Sequence, residues 1–191
     1  MAGPLLEFTG LDNSVFIETG TFKGATIQCA VTHTPFSIIH SIELDYQLYL
    51  KAVSMFVAYP EIHLYHGSSL DLLPLIIDRS QPTTIWLDAH KTIDGHRVVG
   101  DFIPGCECPL LNEIDLILLE PWTAPLIIVV DDARMFTEQW WTGGGKYAEH
   151  FDRRQYPTTK EIFSRLIKAG LKITEKEDRI IANFNPFIIR S

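Results

Sequence analysis

The chain contains no apolar run approaching the roughly 20 residues a membrane-spanning helix needs. Its opening, MAGPLLEFTG, lacks the basic start and apolar core of a secretory signal. A cytoplasmic location and no membrane partner are expected. Cysteine is scarce, with Cys29, Cys106 and Cys108 among 191 residues, and an odd number cannot pair fully within one chain, which excludes a disulfide-stapled secreted fold. The two-residue spacer of structural zinc sites is missing. Cys106-Glu107-Cys108, downstream of His90 and His96, invites zinc, but two reduced thiols in a loop before a helix are the simpler reading. Positive charge is in short supply: 16 basic against 24 acidic side chains leave a net charge of −8. That balance argues against a nonspecific grip on nucleic acid or an anionic membrane and favours a small-molecule partner. Oligomeric state has no signature in the sequence.

What is present fits one domain spanning residues 1–191, with 46% hydrophobic residues for a core and no repeat, low-complexity tract or linker. Short β-rich apolar runs alternate with stretches of helical periodicity, the sequence form of βαβ units around a parallel sheet. Strands are expected at 15–18 (VFIE), 37–43 (SIIHSIE), 62–66 (IHLYH), a fourth (TTIWLD) ending at Asp88, and 126–132 (LIIVVDD), the last apolar enough to be central. Helices are expected at 23–31, at 46–57, after a cap at Ser68 or Ser69, from Pro109 to about 119, and at 160–169 with Gly170 as the stop. LKITEK and RIIANF, around Glu177-Asp178, suit an antiparallel hairpin. Residues 89–108 and 133–157 read as long functional loops.

In an open α/β sheet, ligands bind beyond the carboxyl ends of the strands. After the first strand stands Glu18-Thr19-Gly20-Thr21-Phe22-Lys23-Gly24, whose glycines permit a tight turn against a ligand at a helix N-terminus. Glu43 ends the second strand, where a carboxylate accepts both hydroxyl hydrogens of a ribose. Gly67-Ser68-Ser69 follows the third, small and polar enough to meet an adenine edge. Turn glycines, a helix-start acid and capping serines are the structural readings of the same residues, and they are compatible with binding.

This constellation resembles the class I S-adenosylmethionine-dependent methyltransferases, through FIETGTFKG, SIELD, HGSSLDLLP, WLDAH and VVDDARMF in order. The resemblance implies a Rossmann-like three-layer α-β-α sandwich, with a mostly parallel seven-stranded sheet and an antiparallel C-terminal hairpin. It implies S-adenosylmethionine at Glu18, Thr19, Gly20, Thr21, Phe22, Gly24, Glu43, Ser68, Ser69 and Asp88. The first loop departs from the commoner glycine-richer pattern, with Thr19 and Thr21 flanking Gly20.

Asp88 at the fourth strand end and Asp131-Asp132 at the fifth place three carboxylates over one cleft, and such crowding calls for a compensating cation. An oxygen-only cluster suits magnesium or another divalent ion. The arrangement resembles metal-dependent sugar and catechol O-methyltransferases, which implies that the ion orients a hydroxylated acceptor whose oxygen attacks the methyl group. His90, two residues past Asp88, is the expected general base, with Asp132 and Lys91 as other candidates. Trp140, Trp141 and Tyr147 are expected to stack on a sugar or aromatic acceptor, or equally to pack a lid or a subunit contact. The readings that compete are a noncatalytic Rossmann-like nucleotide-binding module and a nicotinamide-dependent oxidoreductase, the latter disfavoured because the G-x-G-x-x-G fingerprint is absent.

Overall fold

Strands that are apolar on both faces must be covered on both faces, and this requirement shapes the computed structural model, which describes residues 14–33, 36–94, 97–99, 103–145 and 147–187. Three strands, β1 (Val15–Thr19), β4 (Thr83–Leu87) and β7 (Leu126–Val130), are buried at every position. They form the middle of a seven-stranded sheet with β2 (Ile38–Glu43), β3 (Ile62–His66), β8 (Lys172–Lys176) and β9 (Arg179–Phe184), in the order β3-β2-β1-β4-β7-β9-β8. The first five pair in parallel; β9 runs antiparallel to β7 and β8 antiparallel to β9. Glu177 and Asp178 both adopt positive φ, the conformation a two-residue hairpin turn requires.

Helices α1 (Ala25–His33) and α2 (Tyr46–Met55) cover one face, where Ile27, Ala30 and Ala52 pack with Phe16, Trp86 and Val129. On the other face α3 (Ser69–Ile76), α4 (Leu110–Ile117) and α6 (Thr159–Lys168) bury Leu73, Ile114, Ile117, Ile162 and Leu166 against Ile17, Ile85 and Ile128. Helix α1 starts two residues later than its periodicity suggests because Phe22 and Gly24, both at positive φ, are spent on the turn. Asp45 and Ser68 cap α2 and α3, and Thr158 with Glu161 forms a capping box on α6.

The two stretches read as loops carry structure. Residues 89–108 contain a small antiparallel hairpin, β5 (Thr92–Asp94) with β6 (Arg97–Val99). Residues 133–157 contain α5 (Glu138–Thr142) and three single turns of 3₁₀ helix. Among the described residues no helix is long and apolar enough to cross a membrane.

Candidate functional site at the strand ends

The turn after β1 passes directly against the end of β4. A Cβ at Gly20, whose φ is +83°, would lie 2.6 Å from the Asp88 carbonyl oxygen, so only glycine permits the approach. Thr19 accepts the Asp88 N–H at 3.1 Å, and the N–H of Gly20 donates to the Ile42 carbonyl at 2.9 Å, which ties three strand ends together. Glu18 is buried beneath this turn, 2.5 Å from the Ser41 hydroxyl, which lies 2.6 Å from that of Thr21. Burial pushes the Glu18 carboxyl up to about 8, so it is mostly neutral at physiological pH.

Glu43 is held by the backbone on both sides. Its Oε2 accepts the Phe22 N–H at 2.7 Å and its Oε1 the Asp45 N–H at 2.8 Å. Burial pushes its pKa up while these bonds pull it down. Each oxygen keeps a lone pair, and Glu43 lines a cleft of about 250 Å³ together with Gly20, Phe22, Ser68, Ser69 and Asp88. Leu44 and Leu48 give the cleft an apolar wall. A carboxylate at one end, apolar surface beside it and small polar residues beyond match the hydroxyls, base and polar edge of a nucleoside. Thr19, Thr21 and Gly24 do not line this cleft; Thr21 lines a second one of about 350 Å³ across the turn.

Asp88, His90 and Asp132 converge, each offering a ligand atom within 4.8 Å of the others. His90 Nε2 stands 3.2 Å from Asp88 Oδ1 and 3.3 Å from Asp132 Oδ2. Neither contact is aligned as a hydrogen bond, and Nε2 is buried. Burial alone would lower the imidazole pKa, but the two carboxylates outweigh it and hold it well above 6.5. The same two carboxylates that favour a proton on Nε2 favour any cation placed between them. Burial pushes Asp88 up to about 6 against the opposing pull of His90; Asp132 stays below the usual range because His90 and Arg134 outweigh its burial.

Asp131 does not join the triad, although it lines the second cleft with Asp88 and Asp132. Strand alternation puts it on the side of Ile127 and Val129, where its Oδ1 accepts the Asp132 N–H at 2.9 Å and faces Arg179 Nε at 3.4 Å. Arg179 in turn lies over the Trp86 ring. Asp132, at φ 53°, breaks the strand geometry and turns towards His90.

The walls beyond the triad are stitched by a buried ion pair. Lys91 Nζ donates to Glu107 Oε1 at 2.6 Å and to the His150 carbonyl at 2.8 Å; Glu107 Oε2 accepts the Asp152 N–H at 2.8 Å. Trp140 and Trp141 pack edge to face with ring centroids 4.6 Å apart, reach Phe151 and Tyr156, and line neither cleft. Tyr147 neighbours His150. Among the described residues no cysteine joins a ligand cluster, and burial raises the thiol pKa of both Cys106 and Cys108.

Glu113 is a buried acid that the motifs do not indicate. It is fully buried, pushed up to about 7 by that burial, with both oxygens lacking an aligned partner beside Ser69 and Thr19. The signal for it lies in α4, where Glu113 shares the buried stripe of Leu110, Ile114 and Ile117.

No protein-family model and no curated protein matches this sequence. Solved structures do match by shape. The O-methyltransferase TomG from Streptomyces achromogenes, solved with S-adenosylmethionine, aligns with 90% of this chain and 73% of its own at 16% identity and a TM-score of 0.55. The methyltransferase domain of bacterial CtHen1 aligns over 90% and 89% at 13% identity and 0.54. A Staphylococcus aureus protein assigned as a caffeoyl-CoA O-methyltransferase aligns over 90% and 76% at 14% identity and 0.54. With its strand order, its antiparallel terminal hairpin and these neighbours, the chain has the Rossmann-like fold of the class I S-adenosylmethionine-dependent methyltransferases.

Proposed function

We propose that this protein transfers the methyl group of S-adenosylmethionine to a hydroxyl oxygen of a small sugar-like or phenolic acceptor, assisted by a divalent cation. The observation that carries the reading is the shared cleft. Glu43, with lone pairs left over from the Phe22 and Asp45 amides, and the Asp88, His90 and Asp132 cluster line it together. A noncatalytic nucleotide-binding module has use for the first and none for the second.

When bound, S-adenosylmethionine supplies an activated methyl group, and a divalent cation supplies the charge that lowers the pKa of the acceptor hydroxyl. The chain's own groups do the rest. Glu43 fixes the ribose, and the Gly20 turn lets backbone approach the ligand closely. Asp88, whose carboxyl is pushed up to about 6 by burial, is the group suited to receive the hydroxyl proton on the oxygen that does not face His90. The Lys91 and Glu107 pair braces the acceptor side and excludes water.

Two measurements test this. Calorimetric titration with S-adenosylhomocysteine and with NAD should give binding for the first alone; the reverse preference would overturn the reading. A methyl-transfer screen against hydroxylated sugars and phenols, with and without divalent metal, should then find an acceptor whose turnover falls in excess EDTA.

A further inference from the structure

We infer that the cation site is built from two carboxylates and one imidazole, Asp88, His90 and Asp132, and selects a first-row transition ion such as Mn²⁺ or Co²⁺ over Mg²⁺. The inference deepens the methyl-transfer reading, but the binding it describes is measured without turnover.

The histidine is set up as a ligand by its other nitrogen. His90 Nδ1 lies 2.8 Å from the Lys91 carbonyl oxygen, which can only accept, so Nδ1 carries the hydrogen and Nε2 presents its lone pair to the site. The surrounding backbone is pinned: the Thr92 hydroxyl donates to the His90 carbonyl at 3.0 Å, and the Lys91 N–H to the Glu107 carbonyl at 2.7 Å. An N–H to a backbone carbonyl behind a ring is the usual support of a metal-bound histidine, because it fixes tautomer and orientation.

In front of the ring, Nε2 is buried without an aligned hydrogen bond. Its distances of 3.2 and 3.3 Å to the two carboxylate oxygens are close to the roughly 3 Å that separates neighbouring ligands around an ion with bonds of about 2.1 Å. The carboxylate Oδ2 of Asp132 faces the site while its Oδ1 is engaged by Arg134 at 2.7 Å, so the ligand oxygen is itself positioned. Asp131, which would complete an all-oxygen set, is committed to Arg179 and the Asp132 amide.

Donor chemistry then discriminates between ions. Magnesium prefers six oxygens, much of that shell water, whereas imidazole nitrogen strengthens binding of the softer divalent ions in the order of the first transition row.

The test uses untagged full-length protein, with Mn²⁺, Co²⁺ and Mg²⁺ titrated separately in calorimetry, and electron spin echo spectroscopy of the Mn²⁺ form. Mn²⁺ and Co²⁺ are expected to bind at least tenfold tighter than Mg²⁺, and Mn²⁺ to show coupling to one imidazole nitrogen. His90→Ala should erase the coupling and the preference, while Asp131→Asn keeps both. Equal affinity for Mg²⁺ and Mn²⁺, or no nitrogen coupling in the wild-type protein, overturns the inference whether or not the variants fold. S-adenosylhomocysteine titrated into the same samples separates the two readings: its binding without a nitrogen-ligated ion sinks this site alone, and a nitrogen-ligated ion without its binding sinks the methyl-transfer reading alone.

Discussion

Replacing Glu43 with alanine probes the cofactor reading at the residue on which it depends most. In the wild-type chain the two carboxylate oxygens hold one backbone N–H each, from Phe22 and Asp45, and the remaining lone pairs face the cleft. Two charge-assisted hydrogen bonds to a ribose are together worth about 2–4 kcal/mol, which corresponds to a loss of about 30- to 800-fold in affinity for S-adenosylhomocysteine. The same substitution leaves two amide donors without partners, so part of its effect falls on the fold. Glu43→Gln separates the contributions, since it keeps one carbonyl acceptor and the side-chain shape but loses the charge; an intermediate loss of about tenfold is expected. Calorimetry gives the affinities, and far-UV circular dichroism with thermal melting establishes that each variant is folded. A folded Glu43→Ala protein that binds S-adenosylhomocysteine as tightly as wild type refutes the reasoning, because Glu43 is the acid that both ends β2 and lines the cleft.

Glu18 makes stability fall as pH rises. Its folded pKa is raised to about 8 against 4.5, so between those values the unfolded chain releases a proton that the folded chain retains. Glu18→Gln should therefore gain stability over wild type by up to about 1.4 kcal/mol per pH unit between pH 5 and 8, read from urea unfolding at both pH values; a constant difference would contradict a neutral Glu18. Lys91→Met should cost about 3–5 kcal/mol by leaving Glu107 buried without its cation, and the Lys91→Met, Glu107→Leu double variant should cost less than the sum of the single changes. Strict additivity in chemical denaturation would mean the two groups are not coupled.

The sheet was legible because its central strands are apolar on both faces, a pattern that VFIE, TTIWL and LIIVV carry over short windows. The turn of the hairpin was legible too, because Glu177-Asp178 interrupts two alternating runs. Asp131 and Asp132 were not separable by sequence: adjacent acids look alike, and only the positive φ at Asp132 sends one to His90 and the other to Arg179. The role of His90 depends on which group meets each ring nitrogen, and the Lys91 carbonyl behind it leaves no trace in composition. Strands of three residues, as in β5 and β6, are too short to show a period, so the sequence pattern there is that of a loop. Glu113 was visible in principle as an acid in an apolar stripe, and was absorbed into the helix pattern.

The small hairpin is fastened to the turn after β1 by Lys23 and Asp94, 2.6 Å apart with both side chains more than half exposed, whereas Lys91 and Glu107 meet with both side chains mostly buried. Dissolved ions screen the first pair and barely reach the second. Salt thus loosens the fastening between the hairpin and the turn after β1, while the wall held by Lys91 and Glu107 keeps its shape across the same range of ionic strength.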